Sequence, residues 1–175
     1  MKKGLIVLLF SGIIPLSTLW GQNIDTLNSK VVFEAIALKK KLTEGSFTGM
    51  KGVVNFNPVD LNNSAFDVCI EASSLNSGNK MRDKHLRSED FFFVEKYPEI
   101  CFVSASIEKE GDHFVTRGKL TIRDVSREIQ IPFTFDGEVL QGSLLINRFE
   151  YDLGTDVGTF KASEEATITI ICKLE

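Results

Sequence analysis

Residues 129–139 read IQIPFTFDGEV, and this stretch decides the fold class. Up to Phe135, apolar residues alternate with polar ones, a period of two that is typical of a half-buried β-strand. The Asp136-Gly137 pair that follows predicts a type I′ hairpin turn, because both central positions of that turn need a positive φ. The strands on either side therefore pair antiparallel. Pro132 cannot donate to a ladder, which predicts a strand end or a bulge at that residue.

The same alternation recurs along most of the chain. It is clearest at four places: residues 31–37, 66–72, 129–135 and 166–172. Further strands are predicted at Gly52–Asn57, Ile100–Ile107, His113–Ile122 and Val139–Asn147. About eight strands with turn residues between them and one apolar face indicate an all-β fold, either an up-and-down barrel or a sandwich. The pattern alone does not separate these two architectures.

One segment, residues 79–90, departs from the β pattern. It is strongly charged, and Asp83 and Arg87 stand four residues apart, as in a short helix. The run Phe91–Phe93 follows. Three consecutive rings cannot all point to one face of a strand, so at least one must pack under the helix or at the mouth of a cavity.

The first 21 residues have the order of a secretory signal peptide. Two lysines precede the apolar run Gly4–Leu16, and the small residue Gly21 ends the segment at a plausible cleavage point. A retained transmembrane anchor is the alternative, but the run is shorter than the roughly 20 residues that a spanning helix needs. We therefore expect a cleaved signal peptide at 1–21 and one domain at 22–175, periplasmic or secreted and not an integral membrane protein.

The charge of the chain disfavours nucleic acid as a partner. Residues 1–21 contain two Lys and no acidic residue, so the remainder has 18 basic and 24 acidic residues and a formal net charge of −6. Neutralising phosphates needs a clustered basic face, and the basic run Lys39–Lys41 is too short to make one. We expect no nucleic-acid partner.

Metal-binding and cofactor motifs are lacking in the sequence. His85 and His113 are the two histidines, and neither lies at short spacing from a cysteine. Such spacing would be needed to seed a zinc site. The sequence also has no Gly-rich phosphate loop and no nucleophile-elbow motif. The chain is therefore predicted to use no metal and no cofactor, with a metal site assembled from distant strands as the alternative.

The three cysteines are Cys69, Cys101 and Cys172, each inside an apolar, strand-like segment. Export implies an oxidising compartment, yet three cysteines cannot all pair within one chain. We expect buried free thiols, with one disulfide and a spare thiol as the alternative.

Polar side chains are densest on or beside the predicted helix, at Arg82, Asp83, His85, Arg87 and Asp90. They could form a site for a polar or anionic head group, since Arg offers a fork of donors and His can change its charge near neutral pH. They could equally form a solvated helix whose charges pair with one another, and chemistry alone favours this reading. Arg148, at the end of a strand, has the same two interpretations: a solvated residue, or a residue beside a barrel mouth.

Two long motifs carry a family resemblance. The first is RDKHLRS at 82–88, continued by DFF at 90–92 and YPEI at 97–100. The second is GKLTIR at 118–123, continued by VSR at 125–127. In these motifs the chain resembles the YceI-like family, the periplasmic polyisoprenoid-binding proteins with a lipocalin-like barrel. Two departures stand out: Asp124 replaces the family's usual glycine, and Phe149–Tyr151 replaces its usual aromatic or glycine residues at the barrel rim.

The resemblance implies an eight-stranded antiparallel lipocalin-like β-barrel with a short helix around residues 79–90. It also implies a lumen that holds a long isoprenoid chain such as a quinone or prenyl lipid. The 14 Phe residues are compatible with either an open lumen or a core filled by side chains, and the resemblance favours the open lumen. The implied function is an exported carrier without catalysis. The alternatives are an enzyme acting on a lipid, with His85 as acid or base, and a ligand-free, partner-binding barrel.

Candidate site residues follow from this interpretation. The residues expected to bind the apolar chain are Phe33, Phe66, Val68, Ile70, Phe91, Phe92, Phe102, Phe133 and Ile146. The candidates for its polar head group are Arg82, His85 and Arg148. Phe66, Val68 and Ile70 are expected to point inward, because they alternate with the acidic Asp67 and Glu71.

Overall fold

Nine strands form one antiparallel sheet in the computed structural model, which describes residues 21–37 and 41–175. The strands are β1 (Lys30–Ala37), β2 (Lys41–Phe47), β3 (Lys51–Asn55), β4 (Ala65–Glu71), β5 (Glu99–Glu110), β6 (His113–Ile122), β7 (Val125–Phe135), β8 (Val139–Asn147) and β9 (Ala162–Lys173). One helix, α1 (Lys80–Leu86), and the 3₁₀ turns Leu61–Asn63, Ala72–Ser74 and Arg148–Tyr151 complete the described elements.

The strands lie side by side in the order β2-β1-β9-β8-β7-β6-β5-β4-β3. The sheet curls into a half-barrel, and this confirms the mainly-β, antiparallel, barrel-like fold. β2 and β3 follow each other in the chain but form its two edges. The segment before α1 pairs with the β2 edge, where the backbones of Ser46 and Asn76 exchange two hydrogen bonds of 2.9 Å. The predicted number of strands was one too low, because β2 was not among them.

Helix α1 confirms the predicted helix but is shorter. Asn79 caps its N-terminus, since its side-chain oxygen accepts hydrogen bonds from the backbone N–H groups of Met81 and Arg82, both at 3.1 Å. The helix ends at Leu86, and the remainder of the predicted segment up to Asp90 is turn.

The β7–β8 hairpin forms where it was predicted, with a different turn. Gly137 has a φ of 109°, while neither Asp136 nor Glu138 has a positive φ. The predicted type I′ turn is therefore wrong, and a single positive φ at the first loop residue resembles type II′. Pro132 lies inside β7. The part of β7 that pairs with β8 is Phe133–Phe135, so the proline lies just outside the ladder between these two strands.

The expectation of free thiols is wrong for two of the three cysteines. Cys69 on β4 lies directly opposite Cys101 on β5, with Cα atoms 4.0 Å apart, and the two form a disulfide. Cys172 is free and buried, as expected, and burial raises the pKa of its thiol to about 11.

Aromatic side chains fill one end of the half-barrel. Phe56 packs edge-on against Phe114, Phe133 and Phe135, with ring centroids 5.1–5.3 Å apart. Phe66 joins them at 5.6 Å from Phe133. We call these five rings the phenylalanine cluster, and they close this end of the barrel. The predicted signal segment lies outside the described residues apart from Gly21, and no helix within the described part of the chain is long and apolar enough to span a membrane.

Candidate functional site

A cavity of about 820 Å³ occupies the half-barrel on the other side of the phenylalanine cluster. Its wall consists of side chains from the inward faces of successive strands. They include Val31, Phe33, Val68, Ile70, Ile100, Phe102, Leu120, Ile122, Ile129, Ile131, Leu144, Ile146, Ile168 and Ile170. The size and apolar lining are typical of a pocket for an apolar small molecule.

Period-two alternation puts these side chains in the wall. Val68 on β4 lies opposite Phe102 on β5, and the neighbouring pair joins Ile70 to Ile100. All four line the cavity, while the intervening Cys69 points to the outer face with Asp67 and Glu71. The inward orientation predicted for Val68 and Ile70 is present in the structure.

Two of the predicted ligand-binding residues do not line the cavity. Phe66 and Phe133 point inward, but both belong to the phenylalanine cluster that fills the closed end. Alternation gives the face of a strand correctly, yet it does not tell which height along the barrel is filled and which is open.

The three consecutive Phe residues divide between two surroundings. Phe91 and Phe92 line the cavity, whereas Phe93 packs against Tyr97, with ring centroids 6.0 Å apart. Gly154 lies against the Phe91 ring so closely that a Cβ there would come within 2.4 Å of the ring. The three rings therefore do not share one face, as predicted. They separate because the backbone turns at Phe93, which has a φ of 44°.

The cavity mouth lies between α1 and the loop that precedes β9. Arg82 and His85 reach it from the helix, and Lys161 reaches it from the loop. Arg82 donates from Nε to the Ser77 hydroxyl at 2.7 Å and from Nη2 to the Ser77 carbonyl at 2.6 Å. Asp83 is buried behind the helix and accepts the Ser77 N–H at 2.8 Å. Ser77 therefore fixes both the helix and the guanidinium at the mouth.

His85 is the second head-group candidate, and its side chain is about half exposed at 51%. Its Nδ1 lies 3.7 Å from a carboxylate oxygen of Asp90, and its ring lies edge-on to Phe91 at 5.1 Å. Phe91 is also a wall residue. His85 therefore joins the polar mouth to the apolar wall.

Arg148, the third candidate, does not lie at a solvated strand end. It is buried, and its guanidinium donates to five backbone carbonyls, those of Leu153, Gly154, Val157, Ala162 and Ser163. Burial lowers the pKa of this guanidinium, and Phe149 stacks on it at 3.9 Å. Arg148 borders the cavity, but its N–H donors are occupied by hydrogen bonds that hold the loop between β8 and β9.

Several wall residues were missed by the sequence analysis. Ile129 and Leu144 share a face with the predicted residues Phe133 and Ile146 of the same strands, so alternation could have found them. Leu120 and Ile168 lie on β6 and β9, for which no site residue was predicted. Met50, Leu153 and Val157 lie outside strands, and no periodicity points to them.

One group of potential metal ligands occurs in the described part of the chain: Cys69, Glu99 and Cys101. Both thiols are joined in the disulfide, and Glu99 pairs with Lys51. These side chains are already engaged with other protein groups.

A family model described as the YceI-like domain matches residues 22–174. The chain belongs to the YceI-like family. Among curated relatives, a UPF0312 protein of Photorhabdus laumondii is 36% identical over 94 residues, which cover 54% of this chain and 49% of the relative. Protein YceI of Salmonella arizonae is 32% identical with the same coverage, so the chain spans about half the length of these relatives.

Several solved structures have the same fold. BcnA of Burkholderia cenocepacia has a TM-score of 0.76 at 26% identity, covering 86% of this chain and 98% of BcnA. The YceI protein of Campylobacter jejuni has a TM-score of 0.70 at 26% identity, covering 79% and 88%. A polyisoprenoid binding domain from Saccharophagus degradans, at 15% identity, has a TM-score of 0.68 and covers 89% and 98%, which shows a shared fold.

Proposed function

We propose that this YceI-like protein is an exported carrier that binds a long isoprenoid lipid, of the quinone or polyprenyl type, in its cavity. The observation that carries the proposal is the wall of the cavity, which is built from inward apolar side chains of most strands. Polar groups that could orient a head group stand at the mouth, on α1 and the loop before β9. A lipid with a long apolar chain and one polar end matches this arrangement of an apolar wall and a polar mouth.

The size of the cavity limits how much lipid it can hold. A CH₂ group occupies about the volume of a water molecule in the liquid, roughly 30 Å³. The cavity of about 820 Å³ therefore holds roughly 27 such groups, or about five isoprene units. A longer chain would extend through the mouth.

Burial of the chain can account for binding without catalytic groups. Each buried CH₂ contributes about 0.8 kcal/mol, so about ten of them give the roughly 8 kcal/mol of a micromolar Kd before ordering costs. The cavity accommodates more than that number.

Arg82 and His85 are the residues that we assign to the head group. Among the described residues Nη1 of Arg82 has no hydrogen-bond partner, and His85 is half exposed beside the wall. Arg148 is left out of this assignment because its donors already bond to backbone carbonyls. Replacing His85 by Ala separates a carrier from an enzyme: in a carrier, uptake of the chain changes little, whereas in an enzyme turnover is abolished.

Two further observations support the proposal. The polyisoprenoid binding domain of Saccharophagus degradans has the same fold, and its name gives the class of ligand. The disulfide between Cys69 and Cys101 suits an exported protein, because such bonds persist in oxidising compartments. Fractionation of cells that express the full chain would test the export.

The direct test is to purify the protein without detergent, extract it with organic solvent and analyse the extract by mass spectrometry. We expect an isoprenoid lipid in the extract, or uptake of added geranylgeraniol by protein that was purified empty. An extract without lipid, together with no uptake of geranylgeraniol or of a short-chain quinone, would overturn the proposal.

A further inference from the structure

Large apolar side chains are exposed around the mouth of the cavity. Ile36 at the end of β1 and Leu42 at the start of β2 lie directly opposite each other and are 44% and 57% exposed. Met81 on α1 is 83% exposed, and Phe160 in the loop before β9 is 71% exposed. We call these four residues the apolar rim.

The apolar rim is continuous with the cavity. Ile36 and Met81 also line the cavity, so their exposure is at its mouth. The Ile36 N–H donates to the Ser163 hydroxyl at 3.1 Å, which ties the end of β1 to the start of β9, three residues after Phe160. A molecule that covers the rim would therefore also cover the opening.

The charge at the mouth is opposite to that of the molecule as a whole. The chain has a formal net charge of −4. Among the ionisable side chains that line the cavity, Arg82 on α1 and Lys161 before β9 are cations that can meet an anion at the mouth, against the acidic Glu164, while Arg148 is buried and bonded to backbone carbonyls. Exposed apolar residues beside basic ones are the combination that binds the surface of an anionic bilayer, where aromatic and aliphatic groups enter the interface and cations meet the head groups.

We propose that the apolar rim docks on an anionic lipid bilayer, so that an isoprenoid chain passes between bilayer and cavity without crossing water. This inference rests on the proposed function for the nature of the transferred lipid. Direct passage removes the cost of exposing the chain, because each CH₂ carried into water costs as much as its burial contributes. Docking and ligand capacity are separate properties, and each can be measured without the other.

The test compares a rim variant with a matched control. Leu42→Ser combined with Phe160→Ser removes two exposed side chains of the rim that do not line the cavity. Leu27→Ser combined with Val59→Ser removes two side chains, 93% and 91% exposed, that lie outside the cavity lining. Each protein is produced from the full chain, and mass spectrometry verifies that all preparations have the same N-terminus.

Flotation measures docking on vesicles of phosphatidylcholine alone and of phosphatidylcholine mixed equally with phosphatidylglycerol. We expect the original protein and the control to float with the mixed vesicles, less so at high salt, and the rim variant to bind about tenfold less. Equal flotation of the rim variant and the control would overturn the docking proposal, as would equal binding to both vesicle types.

The rate at which geranylgeraniol passes from vesicles to the protein measures whether docking speeds up loading of the cavity. We expect the rim variant to take geranylgeraniol from mixed vesicles about tenfold more slowly than the control, but to bind it equally well when it is added from ethanol. Equal rates of transfer from vesicles would overturn the docking proposal and leave the carrier function standing. Failure of the original protein to bind geranylgeraniol from ethanol would overturn the carrier function, while flotation would still decide the docking.

Discussion

Cys69 and Cys101 are joined across β4 and β5 directly beside the opposed pair Val68 and Phe102. The two cysteines alternate with Val68 and Phe102 along their strands, so the disulfide lies on the face opposite to these side chains, although Cys101 also borders the cavity. The two strands are thus held together covalently at the point where they form the cavity wall. A bond of this kind restricts the unfolded chain as well as the separation of the strands.

Removing the disulfide is expected to destabilise the fold and leave the cavity wall in place. The Cys69→Ser, Cys101→Ser double variant should lose about 2–4 kcal/mol of unfolding free energy, because the bond closes a loop of 32 residues. Urea denaturation monitored by circular dichroism measures the loss. Reduced and non-reduced samples of the double variant should unfold alike, and a difference between them would contradict the assignment of the bond.

Thiol labelling provides an independent check of the same pairing. The native, non-reduced protein should take up no alkylating reagent at pH 8, because Cys172 is buried and its thiol has a pKa of about 11. Denaturation without reductant should expose one thiol and denaturation with reductant three, counted by mass spectrometry. Three labelled thiols without reductant would show that the cysteines are free.

Placing a charge in the cavity wall tests the binding site. Val68→Asp puts a carboxylate where the lipid chain is expected to lie, and an unpaired charge buried by the ligand costs several kcal/mol. The empty cavity can hydrate this carboxylate, so we expect a folded protein whose uptake of geranylgeraniol is lost. Leu145→Asp, on the outer face of β8 where Leu145 is 63% exposed, is the control and should keep full uptake. Undiminished uptake by a folded Val68→Asp protein would show that this face does not form the site.

The closed end of the barrel is expected to set the length of chain that fits. Phe133→Ala removes a ring of the phenylalanine cluster beyond the cavity floor, which should favour prenols about one isoprene unit longer and cost about 3–5 kcal/mol of stability. Leu144→Phe adds volume to the wall and should favour shorter prenols. Competition among prenols of different length measures both shifts. An unchanged preference in both variants would contradict a length limit set by the cavity.

The sequence predicted the inward faces of the strands better than it predicted the strands at the edge. β2 was missed because its inward positions Thr43 and Gly45 carry no large apolar side chain, so alternation is weak. The structure explains Gly45: the Phe33 ring of β1 lies over it, and a Cβ there would come within 2.3 Å of that ring. At this position of β2 the apolar side chain that faces inward comes from Phe33 of the neighbouring strand. The sequence of β2 alone does not show this, because it depends on how the two strands pair.

The cysteines and Arg148 show which contacts the sequence could have indicated. Cys69 lies on the same face of β4 as Asp67 and Glu71, and these acidic residues indicate that this face points outward. The sequence therefore contained an argument against a buried thiol at Cys69. The partner across the strand depends on register, which no local pattern supplies. Arg148 stands at a strand end in the sequence, but its five acceptors come from the following loop and from the start of β9, up to 15 residues further along the chain. Such a loop has no periodicity from which its path could be inferred.

Arg148 is expected to hold the loop before β9 in place. Arg148→Lys leaves an ammonium with three donors, and therefore leaves buried carbonyls among Leu153, Gly154 and Val157 without a partner. We expect a loss of about 3 kcal/mol of stability and faster hydrogen exchange of amides in residues 153–162. Arg127→Lys is the control, because Arg127 is exposed and its Nε donates to the Glu150 carbonyl at 3.1 Å. Unchanged exchange in residues 153–162 of the Arg148 variant would contradict this role.

Tyr151 is expected to make stability depend on pH in the alkaline range. Its side chain is fully buried, its hydroxyl has no hydrogen-bond partner among the described residues, and burial raises its pKa to about 12 from 10. The unfolded chain releases this proton near pH 10 and the folded protein near pH 12, so the free energy of unfolding is unaffected by this proton below pH 10 and falls as pH rises through this range. In Tyr151→Phe this loss is absent, and removal of an unpaired buried hydroxyl should leave stability at pH 7 equal or about 1 kcal/mol higher. Denaturant melts of both proteins between pH 8 and pH 12 measure the effect, and Cys172, present in both, cancels in the comparison. A difference in stability between the two proteins that does not change above pH 10 would show that the phenol of Tyr151 reaches solvent or a partner in the folded state.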